Sequence, residues 1–426
     1  MASTQLSRNP TQTGSRQIFT YSFWIKKTTP VNMAGVTPEQ GIVVSRLDSS
    51  NGTMFRFNAD DTFSFKCDAS AGTKMDIISS RVFRDPAAWM HFVLAVDTTQ
   101  STDTNRVKIY VNGVQETSFG TANYPSQNQN LEINEANNQV FYVGSNSSSI
   151  YFNGLMSYVA FVDGTAYDAS YFGETNAATG IWTINISPSV TYGTNGFFLK
   201  MDTSSPGSDT SGNNNTFTAS GTPTLAQDNP DNNFCTMNIL DDFWQSNTFS
   251  NGNNTVATGN GAYARNSSTI GMATGKWYSE YKVGSITGSG GIYIGITGDL
   301  ATGTGGNTGN SPFSYAYASD GTRHFNGASS SFGDSYTTGD IIGVALDATN
   351  YKLWWSKNGV WQGSGDPSNG SNPAYTVVVP SSTTIGAYFW SFSDNNSGEY
   401  FTCDCNFGNG FFGVTAVASS NADAAG

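Results

Sequence analysis

Residues 18–25 alternate. Phe19, Tyr21 and Phe23 fall on one side, with Thr20 and Ser22 on the other. A period of two sends successive side chains to opposite faces, so the segment predicts a half-buried strand. The same logic predicts a hairpin from 54–57 and 63–67 across 58–61. It also predicts strands at 89–97, 106–111, 140–143, 155–162 and 197–201. Asn112-Gly113 follows one of them, and that dipeptide supplies the positive φ of a two-residue turn. Only a single helical turn is expected, near Asp168–Phe172.

Residues 202–233 are turn-rich, and Pro223 and Pro230 remove ladder donors. A last strand of the first half is expected near 216–219. Alternation resumes at 276–283, then at 292–296, 341–347 and 351–356, with Asn358-Gly359 making the next turn. Strands at 383–390 and 399–407 close the set. The glycine- and threonine-rich run 297–312 predicts a long loop. The organisation expected is a domain at 1–221, a linker at 222–233, a second domain at 234–415 and a tail at 416–426. Short strands with regular turn signals predict an all-β chain of two β-sandwich (jelly-roll) domains in tandem.

Composition sharpens this. Charged residues make up only 12% of the 426 residues and aromatics 13%, with 47 glycines. That is too much apolar and aromatic material for a disordered chain. The net charge of −13 argues against nucleic acid, which needs clustered Lys and Arg. No apolar run of about 18 residues predicts membrane insertion, and no signal peptide is visible at the start. Cys67, Cys235, Cys403 and Cys405 do not make a disulfide framework. Cys403 and Cys405 share one strand face and read as packing residues. With only His91 and His324 beside them, no zinc site, metal or other cofactor is expected.

Two stretches resemble known families. FTYSFWIKK (19–27), AWMHFVLAVD (88–97), RVKIYVNGV (106–114), YFNGLMSYVAFVD (151–163) and DTSGNNNT (209–216) resemble, in that order, the concanavalin A-like, laminin-G-type jelly rolls. GKWYSEYKV (275–283), YAYASDGTRHF (315–325), GDIIGVALDATNYKLWWSKNGVWQG (339–363) and the ending Cys405–Gly408 resemble a SPRY domain. That resemblance implies that Trp277, Trp354 and Trp355 are packing residues. The pairing, with the joint at Asp228–Asn238, resembles tailed-phage proteins of marine bacteria. It implies a virion location, assembly in the host cytoplasm and other virion proteins as partners. Trimers are common among such proteins by analogy, but no heptad or collagen repeat imposes one here.

A jelly roll can also be a glycosidase, which needs two converging carboxylates. Glu132 and Glu135 are three apart and fall on opposite faces of a strand. Asp60-Asp61 reads as a hairpin turn and Asp241-Asp242 as another. No Gly-x-Ser-x-Gly elbow is present. The expectation is therefore a non-enzymatic virion protein that recognises host surface glycans, such as a polysaccharide, or another receptor. Sugars stack on aromatic rings and bond to amides and carboxylates. On that basis Tyr315, Tyr317, Asp320 and Arg323, within 313–325, are the candidate ligand-binding residues; the same stretch also reads as an ordinary turn and strand. The alternatives are a structural, decorating virion protein and, remotely, a polysaccharide depolymerase.

Overall fold

The computed structural model describes residues 4–31, 39–136, 138–147, 150–202, 205–241, 247–259, 265–287, 291–299, 306–394 and 400–408. Asp242, part of the 297–312 loop and the 416–426 tail lie outside them. The chain divides into two units, Met1–Asn233 and Phe234–Gly426. Both are built from strands, and helical structure among the described residues is limited to 3-10 turns. One of these turns, Ala169–Tyr171, is capped by the Asp168 side chain accepting from the Ser170 N–H, as the Asp at that position suggests.

The first unit has two large facing sheets, beside a two-stranded one of Gly173–Thr175 and Trp182–Ile184. The larger, of eight strands, runs in space Phe119–Asn123, Gly72–Ser79, Phe63–Ala69, Gly52–Phe57, Gln40–Arg46, Val140–Val143, Gln5–Arg8, Thr218–Ser220. The other, of six, runs Phe197–Leu199, Gly154–Asp163, Ile18–Lys27, Met90–Asp97, Val107–Val111, Val114–Glu116. Alternation decides what fills the space between. Phe19, Tyr21, Phe23, Phe55, Phe57, Phe63, Phe65 and Phe92 enter one buried cluster, each fully buried side chain contributing about 1.5–3 kcal/mol. The Asn112-Gly113 turn has φ of 48° and 79°, the conformation the dipeptide favours.

Segment 222–233, expected as a linker, belongs to the first unit. Its Asp228 is buried there. One carboxylate oxygen accepts from Lys26 Nζ at 2.7 Å and the other from Trp89 Nε1 at 2.7 Å.

The second unit also has two sheets. The larger joins Thr248–Ser250, Thr255–Ala257, Tyr400–Asn406, Lys276–Thr287, Ile341–Asp347, Lys352–Lys357 and Val360–Trp361, with Tyr375–Thr376 paired to Lys352–Lys357. The smaller joins Arg265–Ser267, Phe389–Asp394, Ile292–Thr297, Ser314–Ala318, Thr322–Phe325 and Ala328–Ser331. The strand expected at 383–390 lies later, at Phe389–Asp394. Pro380 opens a 3-10 turn just before it, and the Thr383 hydroxyl caps that turn by donating to the Pro380 carbonyl. Trp354 and Trp355 are buried, as are Cys403 and Cys405. Trp277 is not: it is 39% exposed, with its indole N–H donated to the Thr274 carbonyl. It heads its strand, where little lies beyond it to pack on.

Candidate binding surfaces

The four residues singled out from sequence form a hairpin, not a loop: Ser314–Ala318 pairs with Thr322–Phe325. Their chemistry is spent inside the unit. Tyr315 and Tyr317 are 1% and 0% exposed and belong to the core, stacked among Phe325, Tyr375, Tyr336 and Trp355. The Tyr317 hydroxyl donates to the Asp334 carbonyl, and the Tyr315 hydroxyl accepts from the Val378 N–H. Asp320 accepts from the Thr322 N–H and hydroxyl, closing the turn. Arg323 donates to the Ala374 carbonyl and lies over the Tyr375 ring. The tyrosines therefore cannot offer ring faces to a ligand. Alternation of Tyr315 and Tyr317 with small residues marked an inward face, not a platform.

The first unit's carboxylates weighed as catalytic candidates are also committed. Arg16 bridges Glu132 and Glu135, each at 3.1 Å, and Lys74 pairs with Glu132. Asp61 is fully buried at φ 65°. It pairs with Lys27 at 2.7 Å and Arg84 at 3.1 Å, and accepts from the Val31 N–H. Among the described residues no group of His, Cys, Asp and Glu could hold a metal ion.

In the first unit, the outer face of the six-stranded sheet is covered in its centre by the chain itself. Ser22, Trp24 and Lys26 point outward from Ile18–Lys27, opposite the core residues. Residues 164–195 cover Ser22 and Trp24, whereas Lys26 meets Asp228 and Asn233; the same stretch builds a second apolar cluster with Val93, Val162 and Phe198. Its anchor is His91, fully buried and stacked between Trp24 (4.7 Å, 14°) and Trp182 (6.0 Å, 16°). Trp182 Nε1 donates to His91 Nδ1 at 3.0 Å. The ring proton therefore sits on Nε2, which donates to Ser22 Oγ at 2.8 Å. Burial lowers the His91 pKa to about 3, so it is a neutral bolt rather than a base for Ser22. The crevice beside it, lined by Ser22, Trp24, Phe172 and Phe198, is too tight for a water molecule.

The second unit offers a partly covered face: Tyr278, Trp361 and Asn406 are half-buried over Glu280 and Ser356, which are 2% and 1% exposed. On the larger sheet, register aligns Asn406, Glu280, Gly343, Ser356 and Trp361 in one cross-strand row. Tyr281 and Val344 on the other side of the same strands are core, so this row points away from it. Tyr278 reaches over: its ring meets Trp361 at 6.2 Å and 67°, and its hydroxyl donates to Glu280 Oε1 at 2.9 Å. Gly343 is required beneath it, because a Cβ there would come within 2.6 Å of that hydroxyl. Asn406 Nδ2 donates to Glu280 Oε2 at 3.3 Å. Burial raises the Glu280 pKa, and no Lys or Arg among the described residues forms an ion pair with it. Two half-buried aromatic rings and an amide thus lie on one face of the sheet over a buried carboxylate that they hydrogen-bond. Sequence reasoning passed over it: the alternation at 276–283 was visible, but which residues meet in the row depends on register across five strands.

Residues 2–169 match the family model of the concanavalin A-like lectin/glucanases superfamily, and residues 276–382 match that of the SPRY domain. No curated protein matches the chain. Among solved structures, the SPRY domain of human HERC1 is similar at 16% identity, over 38% of this chain and 93% of that one, with a TM-score of 0.30. Stonustoxin is similar at 16% identity, over 40% of this chain and 27% of that one, with a TM-score of 0.30. The heptameric SAP-like pentraxin from Limulus polyphemus is similar at 17% identity, over 39% and 72%, with a TM-score of 0.28. The chain carries a concanavalin A-like, laminin-G-like domain followed by a SPRY domain, two β-sandwiches in tandem.

Proposed function

We propose that this protein is a tailed-phage virion component that recognises glycans on the bacterial surface without cleaving them. The observation that carries the reading is the row on the second unit, where Tyr278 and Trp361 flank Glu280 and Asn406. A sugar ring stacks its C–H face on an aromatic side chain, while its hydroxyls donate to carboxylates and accept from amides. Lectin-like sandwiches are the kind of scaffold on which such a surface works. The virion assignment is supported by the order of the two domains and the sequence of their joint. The absence of cleavage is supported by the neutralised carboxylates of the first unit.

Adsorption of the purified chain to bacterial cells and to their extracted polysaccharide tests the reading. Saturable binding lowered at least tenfold by Trp361→Ala is expected. No adsorption to either would overturn it, and release of reducing ends from bound polysaccharide would overturn the non-enzymatic part. A purely structural, particle-decorating role is favoured by exposed apolar side chains, notably Val114 at 73% and Ile181 at 63%. A particle map with those side chains buried against a neighbouring subunit would establish that second reading.

A further inference from the structure

Lys26 Nζ meets two side chains from the end of the first unit. It donates to Asp228 Oδ2 at 2.7 Å and to Asn233 Oδ1 at 2.8 Å. Lys26 and Asp228 are buried, their side chains 1% and 3% exposed. The neighbouring buried lysine is placed differently. Lys27 Nζ meets Asp61 and the main-chain carbonyl of Phe83, an ion pair with a backbone acceptor. Lys26 instead faces a carboxylate and a side-chain amide at once.

Each member of this set is held in place. Trp89 Nε1 donates to the second Asp228 oxygen at 2.7 Å. Asn233 Nδ2 donates to the Ala87 carbonyl at 2.9 Å, which turns the Asn233 carbonyl towards the lysine. Asn233 Cγ lies one C=O bond, about 1.2 Å, beyond the oxygen that Nζ touches, so it is within about 4 Å of that nitrogen. Bond formation starts from about 3–3.5 Å, which rotation about the terminal bonds of Lys26 supplies.

An amine and a primary amide condense with release of ammonia, and neither water nor an oxidant is consumed. The ammonium must first lose a proton, and Asp228 is the acceptor already bonded to it. Away from water, two neutral groups then replace two charges. Lys26 Nζ bonds to Asn233 Cγ, and the C=O electron pair moves onto Oδ1. Asp228 takes one proton from Nζ and gives its own to Nδ2, as a positioned carboxyl does in acid–base catalysis. The electron pair on Oδ1 returns, the Cγ–Nδ2 bond breaks, and ammonia leaves by the exposed side of Asn233.

We propose that Lys26 and Asn233 become joined by an amide bond between their side chains, with Asp228 as the proton carrier. The bond links positions 207 apart in the chain. It ties the last residue of the first unit to a central strand of its six-stranded sheet. A pull on the chain beyond 233 then stops at Lys26 instead of drawing out the residues between. None of the glycan-binding residues takes part, so the bond and glycan recognition stand or fall separately.

Peptide mapping of the purified full chain tests this. A branched peptide joining the Lys26 and Asn233 segments is expected, lighter than its two parts together by one ammonia and absent from Asn233→Ala. Succinimide formation at Asn-Gly sites also releases ammonia but joins no peptides, so the linkage is the deciding observation. Asp228→Asn should lower the linked fraction at least tenfold. Recovery of both segments as separate linear peptides, with the Lys26 amine free, would overturn the bond, and the wild-type map decides this even if Asp228→Asn does not fold. An unchanged linked fraction in folded Asp228→Asn would overturn the role given to Asp228.

Discussion

His91 shows how one side chain sets a measurable property. Its pKa of about 3 in the folded protein lies below the ordinary value of 6.5. As pH falls, the unfolded chain therefore takes up that proton first. The stabilisation is complete above about pH 6.5 and is lost progressively between about pH 6.5 and pH 3, at about 1.4 kcal/mol per pH unit. Urea midpoints of the wild type and His91→Gln across pH 7 to 4 test this. The wild type should lose stability more steeply, and parallel curves would contradict the account. Lys27 makes a second case. With Asp61 it forms an ion pair whose two side chains are 1% and 0% exposed, and burial lowers its pKa. Lys27→Met leaves Asp61 with Arg84 as its remaining pair, and a loss of about 3–5 kcal/mol is expected in chemical denaturation.

At the scale of elements, the strap over the first unit depends on Trp182, which both bonds to and stacks on His91. Trp182→Ala should raise the His91 pKa towards 6.5, seen as its ring protons titrating by NMR; an unchanged pKa would mean the strap does not seal the site. A Cβ at Gly113 would strike the Trp182 ring, and Gly113 has φ 79°. Gly72, at φ 122°, faces open space. Gly113→Ala should therefore destabilise the unit more than Gly72→Ala, by more than about 1 kcal/mol in the same unfolding assay.

Alternation made most long strands legible from sequence, because Phe19, Tyr21 and Phe23 leave one choice of inward face. Short strands such as Gln5–Arg8 carry too few apolar positions to announce themselves. The hairpin 314–325 was visible, but Tyr315 and Tyr317 could serve as core or platform until the packing of Trp355 and Tyr375 assigned them inward. The row from Asn406 to Trp361 joins residues up to 126 apart between Glu280 and Asn406 alone, a proximity that no local pattern encodes.

At the scale of the whole molecule, segment 222–233 is part of the first unit rather than a spacer. A fragment ending at 221 would lose Asp228 and leave Lys26 and Trp89 without that acceptor, whereas one ending at 233 keeps it. The shorter fragment should be less stable by about 3–5 kcal/mol, and equal thermal melting of the two would contradict this. Glycan binding by the chain is assigned to the half-buried Tyr278–Trp361 face of its second unit. The most direct measurement is the affinity of the full chain for extracted bacterial surface polysaccharide, compared with Trp361→Ala and Glu280→Gln. Tenfold or greater weakening in both variants, with unchanged melting, is the result predicted. Undiminished affinity in both, or no affinity in the wild type, would contradict it.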